Sequence, residues 1–149
     1  TLEPDRADLR SGKSRRLVDH WRPVHAWTER QVWELIAKHR VNPHPAYLLG
    51  WGRVSCAACI FGSKDQFASL RVVNPGQFDD VAGAEKETGL TIKRKKGLLA
   101  LADEGTPYAT ITPALTALAT NTTYDAPVIL DEGAWTMPAG AFGESCGPT

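Results

Sequence analysis

Prolines and helix-cap residues interrupt this chain so often that only short elements fit between them. Asn42-Pro43-His44-Pro45, Asn74-Pro75, Gly105 with Pro107, and Pro113 each break the pattern. No run of alternating apolar and polar residues is long enough to promise a sheet. Thr28 can cap a helix, Glu29 suits its positive end, and Val32, Trp33, Leu35, Ile36 and His39 recur at helical spacing. This predicts a helix over residues 28–39, which the following Pro43 and Pro45 end. Ser63 with Gln66 reads as a capping box opening a helix over 63–73, with Phe67, Leu70 and Val73 on one face. Asn74-Pro75 then opens a further helix through Phe78, Val81 and Ala82 to Gly89, and the two are expected to form a helical hairpin. Leu98, Leu99, Leu101 and Ala102 make a short amphipathic helix closed by Gly105.

The two ends of the chain read differently. Residues 1–20 mix five basic with four acidic side chains and form a polar connecting segment. Residues 21–105 carry the helical signals and a cysteine pair, and 106–149 form a tail that is mostly loop, its apolar stretch 114–119 being short. The start at Thr1 rather than Met, with no apolar period over the first residues, is expected of the interior of a longer protein. At 149 residues and 42% hydrophobic, the chain has enough apolar material for a core of its own. Its 17 Lys and Arg balance 17 Asp and Glu, which argues against a general polyanion or membrane-surface binder. No window approaches the roughly 18 apolar residues of a membrane span. The expectation is no membrane partner and a cytoplasmic location. Five tryptophans predict a large aromatic core around Trp21, Trp27, Trp33 and Trp51.

Chemistry concentrates at Cys56-Ala57-Ala58-Cys59, because two thiolates two residues apart can hold one metal ion or cluster edge from a tight turn. Three readings stand: a zinc or iron–sulfur ligand pair, a dithiol–disulfide couple, or buried cysteines without chemistry. As metal ligands the pair needs partners, and Cys146 with His44 or His39 are the candidates. Cys146, in Ser145-Cys146-Gly147, is either a tail thiol able to swing into a site or a plain exposed one. The run Lys93-Arg94-Lys95-Lys96 offers adjacent cations to a phosphate or sulfate, or is a solvated surface. His25 and Trp27 precede a helix start, where they either attend an anion or pack. There is no GxxxxGK, GxGxxG, HExxH or GxSxG arrangement.

Taken together, Trp21-Arg22-Pro23-Val24-His25-Ala26-Trp27-Thr28-Glu29, His44-Pro45-Ala46-Tyr47 with Leu49-Gly50, and Arg53-Val54-Ser55-Cys56-Ala57-Ala58-Cys59-Ile60-Phe61 resemble the phosphoadenosine phosphosulfate (PAPS) reductase family. The closer resemblance is to its RPxHxWT, HPAYxLG and SCxxCIF subgroup, akin to DNA-phosphorothioation sulfur-transfer proteins. Glu3-Pro4-Asp5-Arg6-Ala7 is similar to the arginine loop before the RPxHxW strand, and the likeness runs from about Arg6 to Leu101. It implies an α/β fold of the adenine nucleotide alpha-hydrolase (PP-loop) type. This chain would be its C-terminal, mostly helical portion, with one late strand around Arg22 to His25. The family's SGGxDS phosphate loop is absent from this sequence. The implied activity is sulfonucleotide reduction or sulfur transfer, with PAPS or ATP as nucleotide. Arg6, Arg22, Lys93 and Arg94 would lie near its phosphates, and Cys146 would be the sulfur-attacking cysteine, reduced by a thioredoxin-like partner. Cys56 and Cys59 would ligate an iron–sulfur cluster or zinc. The competing reading is a non-enzymatic metal- or cluster-binding module that contacts nucleic acid or a protein. An incomplete ligand set also allows a homo-oligomer sharing a site.

Overall fold

In the computed structural model the described residues are 2–4 and 19–143, with side chains from residue 21 onward. By backbone proximity the chain divides into two units, Thr1–Val32 and Trp33–Thr149.

The first unit holds a two-stranded antiparallel pair, β1 (Leu2–Pro4) and β2 (Asp19–Trp21), with Leu2 opposite Trp21 and Pro4 opposite Asp19. The strand expected around Arg22 to His25 is therefore misplaced. Pairing stops at Trp21, and His25 and Trp27 donate their N–H groups to the Arg22 and Val24 carbonyls to close successive turns. Pro23 explains the stop, since it has no N–H for a ladder. The unit ends in the first turn of α1 (Glu29–Lys38). Here Thr28 and Gln31 cap reciprocally, Gln31 N–H donating to Thr28 Oγ1 at 3.3 Å and Thr28 N–H to Gln31 Oε1 at 2.8 Å.

In the second unit five helices follow the end of α1: α2 (Pro45–Leu49), α3 (Lys64–Val73), α4 (Pro75–Thr88), α5 (Leu98–Glu104) and α6 (Pro113–Thr120). The hairpin of α3 and α4 forms as expected. Asn74 serves both helices, its N–H donating back to the Leu70 carbonyl while its Oδ1 accepts from Gln77 N–H. Sequence periodicity did not mark α2 or α6. Each is short, and each starts on a proline at its first turn, capped by His44 and Thr112 respectively. Among the described residues there is no parallel sheet, and the architecture is mostly helical.

The core gathers Leu49, Trp51, Phe67, Leu70, Phe78, Leu98, Leu101 and Ala102, with α3 packed on α5 at its centre. Only half of the expected aromatic cluster is buried. Trp33 and Trp51 are 5% and 3% exposed, whereas Trp21 and Trp27 are 76% and 41% exposed. The buried pair meets tyrosines edge-to-face, Trp33 with Tyr47 and Trp51 with Tyr108, at centroid distances of 5.2 and 5.3 Å.

The described residues after α6, 121–143, are mostly loop but laced onto the unit. Leu130 N–H donates to the Arg40 carbonyl, Asn42 N–H to the Val128 carbonyl, and Trp135 Nε1–H to the Val41 carbonyl. Gly140 approaches so closely that a Cβ there would lie 2.1 Å from the Trp51 carbonyl oxygen. No helix among the described residues is long and apolar enough to cross a membrane.

Candidate functional site

The cysteine turn hangs between two anchored points. Trp51 is buried in the core before it, and Ser63 caps α3 after it, accepting Gln66 N–H at 3.2 Å. The Gln66 side chain also ties down the cysteine turn. It is 4% exposed and reaches back nine residues, donating Nε2–H to the Ala57 carbonyl at 2.9 Å. Ala57 and Ala58 are the turn between the two cysteines, so this bond holds the pair against the start of α3. Gly62 N–H donates to the Cys59 carbonyl at 2.7 Å, and a Cβ on Gly62 would lie 2.9 Å from that oxygen and 3.0 Å from Gln66 Cδ. The two thiols are free, Cys56 exposed and Cys59 half-buried.

Cys56, and not Cys59, is a wall of a cavity of about 500 Å³. That volume falls in the range of small-molecule sites, roughly 300–1,000 Å³. Its apolar floor includes Leu49, Leu70 and Val73, and its polar wall His44, Arg53, Ser55 and Gln77. His44 Nδ1 accepts Ala46 N–H at 3.1 Å, which leaves the ring proton on Nε2. Trp51 is a further wall residue, and its buried Nε1–H has no acceptor among the described residues. A second cavity of about 360 Å³ lies between Gly50, Ser63, Asp65, Gln66, Tyr108 and Gly143.

The basic run forms a tight turn, Lys93 and Lys96 exchanging backbone hydrogen bonds. Glu85 on α4 clasps it from behind, accepting the N–H groups of Ile92 at 2.6 Å and Leu98 at 2.9 Å. Lys96 pairs with Glu104, and Lys93 Nζ stands 5.9 Å over the Phe67 ring. Arg94 is exposed. Neither Lys93 nor Arg94 is a wall of either cavity. Arg22 is exposed in the turn after β2. Arg6 and Cys146 lie outside the described residues.

For a metal or cluster the test is the donor set. No group of three or more His, Cys, Asp or Glu converges among the described residues, so neither His44 nor His39 joins the cysteine pair as a ligand. Two thiols alone do not complete the roughly four-ligand set that zinc or a cluster takes. The described residues do not fit the group by themselves.

Sequence reasoning missed Gln66 and Glu85 as organisers and Arg53 as a wall of the cavity. Gln66 was visible as a capping partner, but no local spacing points from it to Ala57.

Residues 3–61 match the family model of the phosphoadenosine phosphosulfate reductase domain. The match ends on Phe61, just past the cysteine pair, and contains each of the three motif segments. The chain is also similar to an uncharacterized 37.8 kDa protein in the gpa 5' region of Escherichia phage 186, 33% identical over 66 residues. That alignment covers 44% of this chain and 20% of the phage protein, so the chain matches about a fifth of that relative's length. No solved structure gives a significant match.

Proposed function

We propose that this chain, whose residues 3–61 match the phosphoadenosine phosphosulfate reductase domain, serves sulfonucleotide reduction as the C-terminal portion of a PP-loop α/β protein of that family. The observation that carries the reading is the match itself, which takes in Arg22, His44, Arg53 and both cysteines in order.

In this reading Arg6, Arg22, Lys93 and Arg94 neutralise the nucleotide phosphates, whose charge guanidinium and ammonium groups complement with charge-assisted hydrogen bonds. The Cys146 thiolate attacks the sulfonate sulfur. The S–O bond to the nucleotide phosphate breaks, the phosphate leaves with its electron pair, and the sulfonate is left on Cys146. A reductant thiol then attacks the Cys146 sulfur, and sulfite departs. The resulting mixed disulfide is resolved by the second thiol of a thioredoxin-like partner. No step is routed through a metal. Cys56 and Cys59 take sulfur or thiol exchange at the edge of the 500 Å³ cavity that Cys56 lines.

The test is sulfite release from radiolabelled PAPS with dithiothreitol as reductant, using the full open reading frame that encodes this chain. Release that drops by about 100-fold or more in Cys146→Ser is expected, since the nucleophile is then gone. Release unchanged by Cys146→Ser would remove Cys146 from the chemistry. No release from either PAPS or adenosine phosphosulfate would end the reading.

A further inference from the structure

The basic turn is braced more firmly than a solvated run of charges requires. Lys93 and Lys96 each donate N–H to the other's carbonyl, at 3.3 and 3.0 Å, which leaves Arg94 and Lys95 as a two-residue tip. Thr91 Oγ1–H donates to the Lys93 carbonyl at 2.7 Å, and the Glu85 carboxylate accepts the N–H groups of Ile92 and Leu98 on either side of the turn. Lys95 holds φ at +67°, in the left-handed region that glycine enters freely and a side chain with a Cβ does not. Strain kept at an exposed cation, where glycine would close the turn more easily, points to a use for the charge.

The four cations divide into two pairs. Lys93 stands over the Phe67 ring and Lys96 pairs with Glu104, so both are tied to the body of the fold. Arg94 and Lys95 are exposed and have no ion-pair or hydrogen-bond partner among the described residues. Of the two carboxylates bonded to the turn, Glu85 is engaged by backbone N–H groups and Glu104 by Lys96. None of residues 93–96 is a wall of either cavity described above, so an anion meets the tip on the outside of the fold. The tip carries no apolar or aromatic side chain, and so it offers charge and N–H donors alone. Neighbouring Cα atoms lie about 3.8 Å apart, close to the roughly 3.4 Å of axis between charges along one strand of a nucleic acid.

We propose that Arg94 and Lys95 form a contact for the phosphodiester backbone of a nucleic-acid strand, made by charge and independent of base sequence. This assignment takes the basic turn out of the nucleotide role given to Lys93 and Arg94 above and leaves the rest of the sulfonucleotide reading as it stands. The contact is measured with no sulfonucleotide present.

The experiment follows fluorescence anisotropy of a labelled single-stranded oligothymidylate with the full chain over a tenfold range of salt. Each phosphate neutralised on a single strand contributes about −0.7 to the slope of log affinity against log salt, so two contacts weaken binding about 25-fold across that range. Lys95→Gly should make the slope shallower by about 0.7, and Arg94→Gln added to it by about 1.4 in all. Because glycine suits the backbone at residue 95, the urea midpoint of Lys95→Gly should hold or rise, which separates lost binding from lost folding. Lys38→Gln, an exposed lysine on α1, should leave the slope unchanged. A slope unaltered in both tip variants, or an equal change in Lys38→Gln, would overturn the proposal. Poly-glutamate of matching charge competing as well as unlabelled oligothymidylate would assign the turn to an acidic protein instead, and displacement by ATP at the same phosphate concentration would return it to the nucleotide; either result overturns the nucleic-acid contact.

Discussion

Replacing Gln66 with Met removes the hydrogen bond that ties the cysteine turn to α3. Met keeps the length and unbranched shape of Gln, so packing at a position only 4% exposed is nearly conserved. Its polar interactions disappear, among them the Nε2–H donated to the Ala57 carbonyl at 2.9 Å. A neutral hydrogen bond contributes about 0.5–1.5 kcal/mol net, and an acceptor left buried and unpaired costs about 1–3 kcal/mol. Ala57 is half-buried, so water reaches part of its carbonyl and the loss should fall near 1–2 kcal/mol. For a chain of 149 residues that is a fall in Tm of about 2–8 °C. Urea unfolding should show a lower midpoint with an unchanged slope, because the surface exposed on unfolding is the same.

A second readout ties the stability loss to the site. Peptide-resolved alkylation of Cys59, which is half-buried in the wild type, should accelerate once the turn is released. Ser69→Ala is the control. Ser69 is fully buried, donates to the Asp65 carbonyl at 2.7 Å and accepts Tyr108 N–H at 2.9 Å, bonds that do not involve the cysteine turn. It should cost a similar 1–2 kcal/mol, by about the same hydrogen-bond loss, while leaving Cys59 alkylation unchanged. If Gln66→Met leaves that rate unaltered, or Ser69→Ala raises it as much, the Gln66 bond is not what holds the turn.

Three further outcomes test the packing and the clasp on the basic turn. Gly105→Ala places a Cβ 2.1 Å from the Lys64 carbonyl oxygen, a backbone atom that no rotamer change can move, and should destabilise by about 2–3 kcal/mol in urea unfolding. Gly83→Ala, inside α4 with no atom within 4 Å of the new methyl, should instead stabilise by about 0.5–1 kcal/mol. Glu85→Ala removes the carboxylate that accepts Ile92 and Leu98 N–H groups, and should cost about 2 kcal/mol. Hydrogen exchange at those two amides should then speed up relative to the later residues of α5, and an unchanged pattern would refute the clasp.

What could be read from the sequence was what neighbours decide. Thr28, Ser63 and Asn74 cap the helices expected of them because a cap bond joins residues three apart, whatever the rest of the chain does. The three motif segments and the cysteine pair were legible for the same reason, as short strings of residue types. The features that needed the fold are bonds between distant residues. Trp21 and Trp27 carry the same apolar payload as Trp33 and Trp51, yet only the latter pair is buried, because burial depends on which elements arrive from elsewhere. α2 and α6 have too few residues for a period to show, and they form with proline starts and caps while their apolar residues rest on the core. Gln66 was marked as one half of a capping box, and in the fold its amide also donates to an acceptor nine residues earlier, a carbonyl that only the turn's position brings within reach. The sequence by itself determined where helices begin and which family motifs the chain carries, since both are local. Tertiary structure alone decided which thiol faces the cavity, which cation stands beside it, and that Glu85 holds the basic turn from behind, since each depends on segments far apart in the chain meeting in space.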